Sequence, residues 1–201
     1  MPIVDWLKEV PGYREAIESE SRQRDIAWLN LTETINGVEV LPFTPNHFLI
    51  LSRIIPGSPF ICGGQPCETD VPIFLWVVSP QFIAGNSWRA RVRRHRFVSR
   101  CRKLDFFKTC DAIAKYIDSA FMEGSGGDDR SKSYFSCIAS LVDSLASEYG
   151  WSEEQIRATS FKRLFQLFRS RQLRHDPEAR LHNASDRIRA DHEAKRAALR
   201  N

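Results

Sequence analysis

Between residues 86 and 122 the large apolar side chains return every three or four positions, and this period constrains the fold more than any other feature. Trp88, Val92, Phe97, Val98, Cys101, Leu104, Phe106, Phe107, Ile113, Tyr116, Ile117 and Phe121, with His95 among them, carry it. Such spacing sets side chains on one face of an α-helix. The stretch therefore predicts one or two long helices, which must cover their apolar faces with other elements. At 201 residues the chain can bury one core, or one core and a satellite. Apolar residues make up 42% and charged residues 27%, a balance that excludes a disordered chain.

The clearest β signal precedes this region. Residues 28–35 and 38–41 alternate around Asn36-Gly37, the strongest short hairpin turn. Before it, residues 13–24 are charge-rich and read as a helix. After it, Thr44-Pro45 opens a helix over residues 47–55, so apolar that burial on most sides is expected. A Pro/Gly-rich loop fills residues 56–68. Thr69 is then expected to cap a second apolar helix over residues 71–78, ended by Ser79-Pro80.

Residues 123–131, Glu-Gly-Ser-Gly-Gly-Asp-Asp-Arg-Ser, read as a linker. Beyond it, Tyr134, Ile138, Leu141, Val142 and Leu145 define an amphipathic helix that Gly150 terminates. Ser152-x-x-Gln155 is a capping box. Thr159 or Ser160 starts a further helix carrying Phe161, Leu164, Phe165 and Phe168 on one face. The expected fold is mainly α, a helical bundle with a small N-terminal β-hairpin. Its parts are residues 1–122, the linker 123–131, a C-terminal helical part 132–174, and a charged tail 175–201 that reads as largely helical.

Charge is unevenly placed. Residues 1–84 hold 5 basic and 10 acidic side chains, a net of −5, while residues 85–201 hold 24 and 15, a net of +9. Partners of opposite sign, or self-association, follow from such asymmetry. Its focus is Arg89, Arg91, Arg93, Arg94, Arg96, Arg100, Arg102 and Lys103, eight cations in fifteen residues with no acid. Three readings stay open for this stripe. It could contact nucleic acid, with Trp88 and Phe97 interleaved. It could be a solvated helix face paired with the acidic N-terminal third, or it could dock an acidic protein.

The remaining chemistry is sparse. Five cysteines, an odd number, argue against a disulfide framework. Cys62, Cys67 and His95 could converge on a metal, but buried free thiols are the better reading, so no metal and no cofactor is expected. His47 reads as a satisfied core histidine. No nucleophile elbow, Walker loop or dinucleotide fingerprint occurs, and the chain reads as a non-enzyme. The apolar run over residues 71–83 is too short for a membrane span, and the start Met1-Pro-Ile-Val-Asp-Trp6 is no secretory signal. A cytoplasmic location is the expectation. Trp151, Phe161, Leu164, Phe165 and Phe168 form an aromatic stripe that serves as core or as the anchor for a partner.

Four short blocks resemble the tail assembly chaperones of long-tailed bacteriophages. They are Leu41-Pro-Phe-Thr44, Ser58-Pro-Phe60, the apolar helix of residues 70–79, and Tyr149-Gly-Trp-Ser-Glu-Glu-Gln-Ile156. The likeness covers roughly residues 28–80 and 134–170. It implies a helical, non-enzymatic protein of the host cytoplasm that coats an apolar tape-measure protein and recruits tail-tube subunits before they polymerise. The basic helix and the tail beyond Arg174 depart from the pattern. They leave a virion tail or connector protein, or a nucleic-acid-associated protein, as the alternative.

Overall fold

The apolar run that follows Thr69 becomes the axis of the molecule. The protein is described by a computed structural model over residues 12–29, 31–55, 57, 59–62, 64–85, 87–121 and 137–176. Its elements are α1 (Tyr13–Ala27), β1 (Glu33–Ile35), β2 (Val38–Val40), α2 (Pro45–Ile54), α3 (Pro59–Cys62), α4 (Asp70–Val78), α5 (Trp88–Cys101), α6 (Phe106–Phe121), α7 (Cys137–Tyr149), α8 (Glu153–Ala158) and α9 (Phe161–His175). The fold is thus mainly helical with one two-stranded antiparallel hairpin, as expected. Among the described residues no helix is long and apolar enough to cross a membrane.

A helix that is apolar all round must be enclosed. In α4, Val71, Pro72, Phe74, Leu75, Trp76, Val77 and Val78 are all buried. Helices α2, α5 and α6 and strand β2 pack around it. Burial of a large aliphatic or aromatic side chain contributes about 1.5–3 kcal/mol, so α4 is a major source of stability. The expected Thr69 cap is not formed, because Thr69 already has helical dihedrals and its side chain makes no capping bond. The end is closed instead by Asp70, whose Oδ2 accepts from the Cys67 N–H at 2.9 Å.

The segment joining β2 to α2 ties three helices together. The Leu41 N–H donates to the Val78 carbonyl at 2.8 Å, and the Leu41 carbonyl accepts from the Tyr116 hydroxyl at 2.6 Å. The Phe161 N–H, an unpaired donor at the start of α9, reaches the Phe43 carbonyl at 2.9 Å. Phe43 itself is a hub. Its ring lies 5.7–6.3 Å from those of His47, Phe74, Tyr116, Phe121 and Phe161. Such edge and offset contacts add to the area term.

Asn36 and Gly37 take φ of 46° and 82°, the left-handed pair that a two-residue hairpin turn requires. Register pairs Glu33 with Val40 and Ile35 with Val38. The strands are shorter than the alternation suggests. α1 continues to Ala27, the Trp28 N–H still bonds the Asp25 carbonyl, and Leu29 and Leu31 stay exposed. Three residues per strand suffice, because the hairpin leans on α6 through Asn36 Nδ2 donating to Thr109 Oγ1 at 2.9 Å.

α2 also departs from expectation. Thr44 caps it and Pro45 opens it, but Leu49 and Ile54 are exposed. It packs on α4 and α8, and its Phe48 ring meets Phe161 of α9 at 6.3 Å, while Leu49 and Ile54 point away from these contacts. The long stretch splits into α5 and α6, since the Asp105 carboxylate accepts from the Lys108 N–H at 3.0 Å and starts a new helix. The Ser152–Gln155 capping box forms in full. Gly150, with φ of 65°, ends α7. Ser160 occupies the cap position of α9 without a side-chain bond.

The described parts on both sides of the expected linker share one core, in which Ile138, Leu141, Leu145, Ile156 and Leu164 join the α4 cluster. The expected linker at 123–131, and all of the expected tail except His175 and Asp176, lie outside the described residues.

Candidate docking groove

Helix α5 packs on α4 through Ala90, Phe97 and Cys101, all buried. Everything else on α5 is sorted by the helical period. Arg89, Arg93, Arg96 and Arg100 follow at i, i+4, i+7 and i+11, a single row about 17 Å long at 1.5 Å per residue. Arg91 and Arg94 lie on the opposite flank, and Arg102 and Lys103 are in the turn after α5. All eight cations are exposed. Among the described residues none of them forms an ion pair with an acid, so the acidic N-terminal third does not neutralise the stripe there. Arg89 lies 5.7 Å from the centroid of the exposed Trp88 ring, and Arg100 lies 6.0 Å from that of Phe97.

Beside the Arg91–Arg94 flank the surface falls into an open groove of about 910 Å³. Its floor is Trp76 and Val77 of α4 with Phe82. The Trp76 ring meets Phe82 at 6.0 Å and Phe97 at 5.2 Å, both edge-on. One wall is α5, with Ala90, Arg91, Arg94 and Val98. The other brings in Arg53 and Ile54 from the last turn of α2. The loop of residues 82–85 closes one side and exposes Ile83 at 39%, against 47% for Ile54. That loop is set by two bonds. Ser79 Oγ donates to the Trp76 carbonyl at 2.9 Å, and the Phe82 N–H donates to the Ser79 carbonyl at 3.0 Å. A smaller cavity of about 400 Å³ lies between the hairpin turn and the end of α5, with Arg100 on its rim.

The structure treats the aromatic stripe differently. Phe161 and Leu164 are buried within the core, at 2% and 0% exposure. Phe165, Phe168 and Trp151 are half-buried. Phe165 stacks 5.7 Å from Phe161, and Trp151 lies 6.1 Å from Tyr149. Only the last three could meet a partner without displacing α9.

His47 is drawn into the capping of α2. Its Nδ1 accepts from the Thr44 N–H at 3.3 Å while Thr44 Oγ1 accepts from the His47 N–H. Burial lowers its pKa from 6.5 to about 4, which keeps the ring neutral and able to accept. Among the described residues no group of three or more His, Cys, Asp or Glu side chains is placed to hold a metal. His95 is exposed on α5. Cys101 is buried and its thiol is pushed up to about 11 by that burial. Cys67, by contrast with the expected buried thiol, is exposed and lies 3.0 Å from Thr69 Oγ1.

Sequence reasoning missed the groove and one ionic cluster. Arg53 and Arg91 are 38 positions apart in sequence, and no periodicity connects them. In the cluster, Glu148 of α7 holds Arg174 at 2.7 Å, His175 at 3.2 Å and Arg171 at 3.5 Å. The hydrogen bond with His175, followed by the surrounding positive charges, holds the Glu148 carboxyl below the usual range.

Comparison with protein-family models finds no matching family, and comparisons with curated proteins and with solved structures find no match.

Proposed function

We propose that this protein is a non-enzymatic assembly factor of the phage-tail kind, which binds client proteins in the host cytoplasm and holds their apolar surfaces until assembly. The observation that carries the reading is the groove: exposed Ile54 and Ile83 and half-buried Phe82 lie over the buried Trp76, edged by arginines that have no acidic partner among the described residues. Exposed apolar surface beside unpaired charge is what a protein-docking site requires. The blocks that resemble tail chaperones support the reading as well. Clients of the tape-measure and tail-tube class bring long apolar helices, and a helical groove suits them. Binding of this kind needs no cofactor and makes or breaks no bond.

The test is affinity purification of the tagged chain from nuclease-treated lysate of its native infected or lysogenic cells. Recovery of a very long helical protein or a tube subunit, unaffected by nuclease, supports the reading. Partners that vanish with nuclease sink it.

A second reading is favoured by the row Arg89, Arg93, Arg96 and Arg100, which faces away from the groove beside the exposed Trp88. Four aligned cations with an aromatic suit a phosphate backbone. Under this reading the affinity for a nucleic acid falls steeply with salt, at a slope near −0.7 to −0.9 per neutralised phosphate.

A further inference from the structure

We infer that the groove between α2, α4 and α5 takes one amphipathic α-helix of a partner protein, with an apolar stripe flanked on both sides by acidic residues. This rests on the protein-docking reading above and specifies its partner.

Three features point to that occupant. Charge comes first. Arg53 stands on one long edge, and Arg91 and Arg94 stand on the other. All three are exposed, and none has an acidic partner among the described residues. An occupant with acids on a single side would leave one edge uncompensated.

Shape comes next. Ala90 to Val98 along the α5 wall spans eight steps, about 12 Å or roughly two helical turns. Trp76 and Phe82 provide an apolar floor between the charged edges, and Ile54 and Ile83 extend it outward. A phosphate chain has nothing to place on such a floor.

Backbone chemistry decides between helix and strand. Among the described residues no strand lines the groove, whose walls are α5, the last turn of α2 and the short loop of residues 82–85. They offer no ladder to an extended peptide, whose own N–H and C=O groups would lose water without replacement. A helical peptide satisfies its backbone internally and needs only side-chain contacts.

The experiment uses the full chain and three fluorescein-labelled, helix-stapled synthetic peptides of about four turns. One carries a Leu stripe flanked by Glu, the second replaces each Glu by Lys, and the third scrambles the first. Anisotropy at low ionic strength reads affinity. The expected result is that the Glu peptide binds at least tenfold tighter than either of the others. The variant Arg53→Glu/Arg91→Glu/Arg94→Glu weakens the Glu peptide at least tenfold and reverses the preference towards the Lys peptide. Ile83→Asp weakens both, and Arg89→Glu/Arg93→Glu/Arg96→Glu changes neither by more than threefold. Circular dichroism checks that each variant remains helical, and the reversed preference cannot arise from misfolding.

Equal binding of the scrambled peptide overturns the inference. So does loss of binding through the Arg89 row, displacement of the Glu peptide by oleate but not by unlabelled peptide, or occlusion of the groove in a dimer of this chain seen by sedimentation. The two proposals fail separately. If the triple variant still captures a long helical client from nuclease-treated lysate, the groove assignment falls and the assembly reading stands. If the wild-type chain captures no such client, the assembly reading falls.

Discussion

Acidification from pH 7 to pH 4 should destabilise this protein through His47. In the folded chain the imidazole is neutral, because burial lowers its pKa from 6.5 to about 4. The unfolded chain takes up the proton near pH 6.5, the folded chain only near pH 4. The stabilisation is therefore complete above pH 6.5, falls as the pH drops through the interval, and is gone below pH 4. A shift of this size corresponds to about 3 kcal/mol at 1.36 kcal/mol per pH unit. Protonation also abolishes the acceptor that Nδ1 presents to the Thr44 N–H. The informative variant is His47→Gln, since Gln at the third helical position completes a capping box without titrating. Urea unfolding of both proteins at four pH values between 7.5 and 4 gives the difference in stability, in which titration of the shared carboxylates cancels. That difference should move by about 3 kcal/mol in favour of the variant across the interval. Parallel stability curves would refute the placement of His47.

Three further outcomes follow from other parts of the structure. Phe43→Ala removes the aromatic hub and should lower stability by about 3–5 kcal/mol in denaturant unfolding, with a loss of near-ultraviolet dichroism. Ser152→Ala breaks a formed capping box and should cost about 1 kcal/mol, whereas Ser160→Ala removes a buried hydroxyl that has no partner among the described residues and should be neutral or stabilising. Glu148→Gln should reduce hydrogen-exchange protection at the end of α9. In the wild type that protection is present above the carboxylate range and falls on acidification, because the folded pKa is depressed; in the variant it should not respond.

How much of this was readable beforehand depended on how local each signal is. The Asn36-Gly37 turn, the Thr44-Pro45 start and the Ser152–Gln155 box each lie within four residues, and each formed. Thr69 failed as a cap because its backbone is already helical, and its hydroxyl lies 3.0 Å from Cys67 Sγ instead. The split between α5 and α6 turns on a single carboxylate, Asp105, inside an otherwise continuous helical pattern. Leu29 and Leu31 alternate like strand residues, yet they stay exposed, and among the described residues no third strand covers them. Leu49 and Ile54 read as core and are exposed for the same kind of reason, a neighbour that the described residues do not supply. The basic stripe was plain in sequence. Its division into a groove-facing pair and an outward row needed the position of α4, and Arg53 joined it only through the fold.

Under the proposed reading, clients dock in the α2–α4–α5 groove. Its most direct test places a photo-crosslinking amino acid at Ile83, or alternatively at Leu173, an exposed position on α9, in the tagged full chain within its native cells. Irradiation followed by mass spectrometry should join the Ile83 position to a long helical protein and leave the Leu173 position without that product. Equal crosslinking of that protein from both positions, or crosslinks from Ile83 to nucleic acid alone, would contradict it.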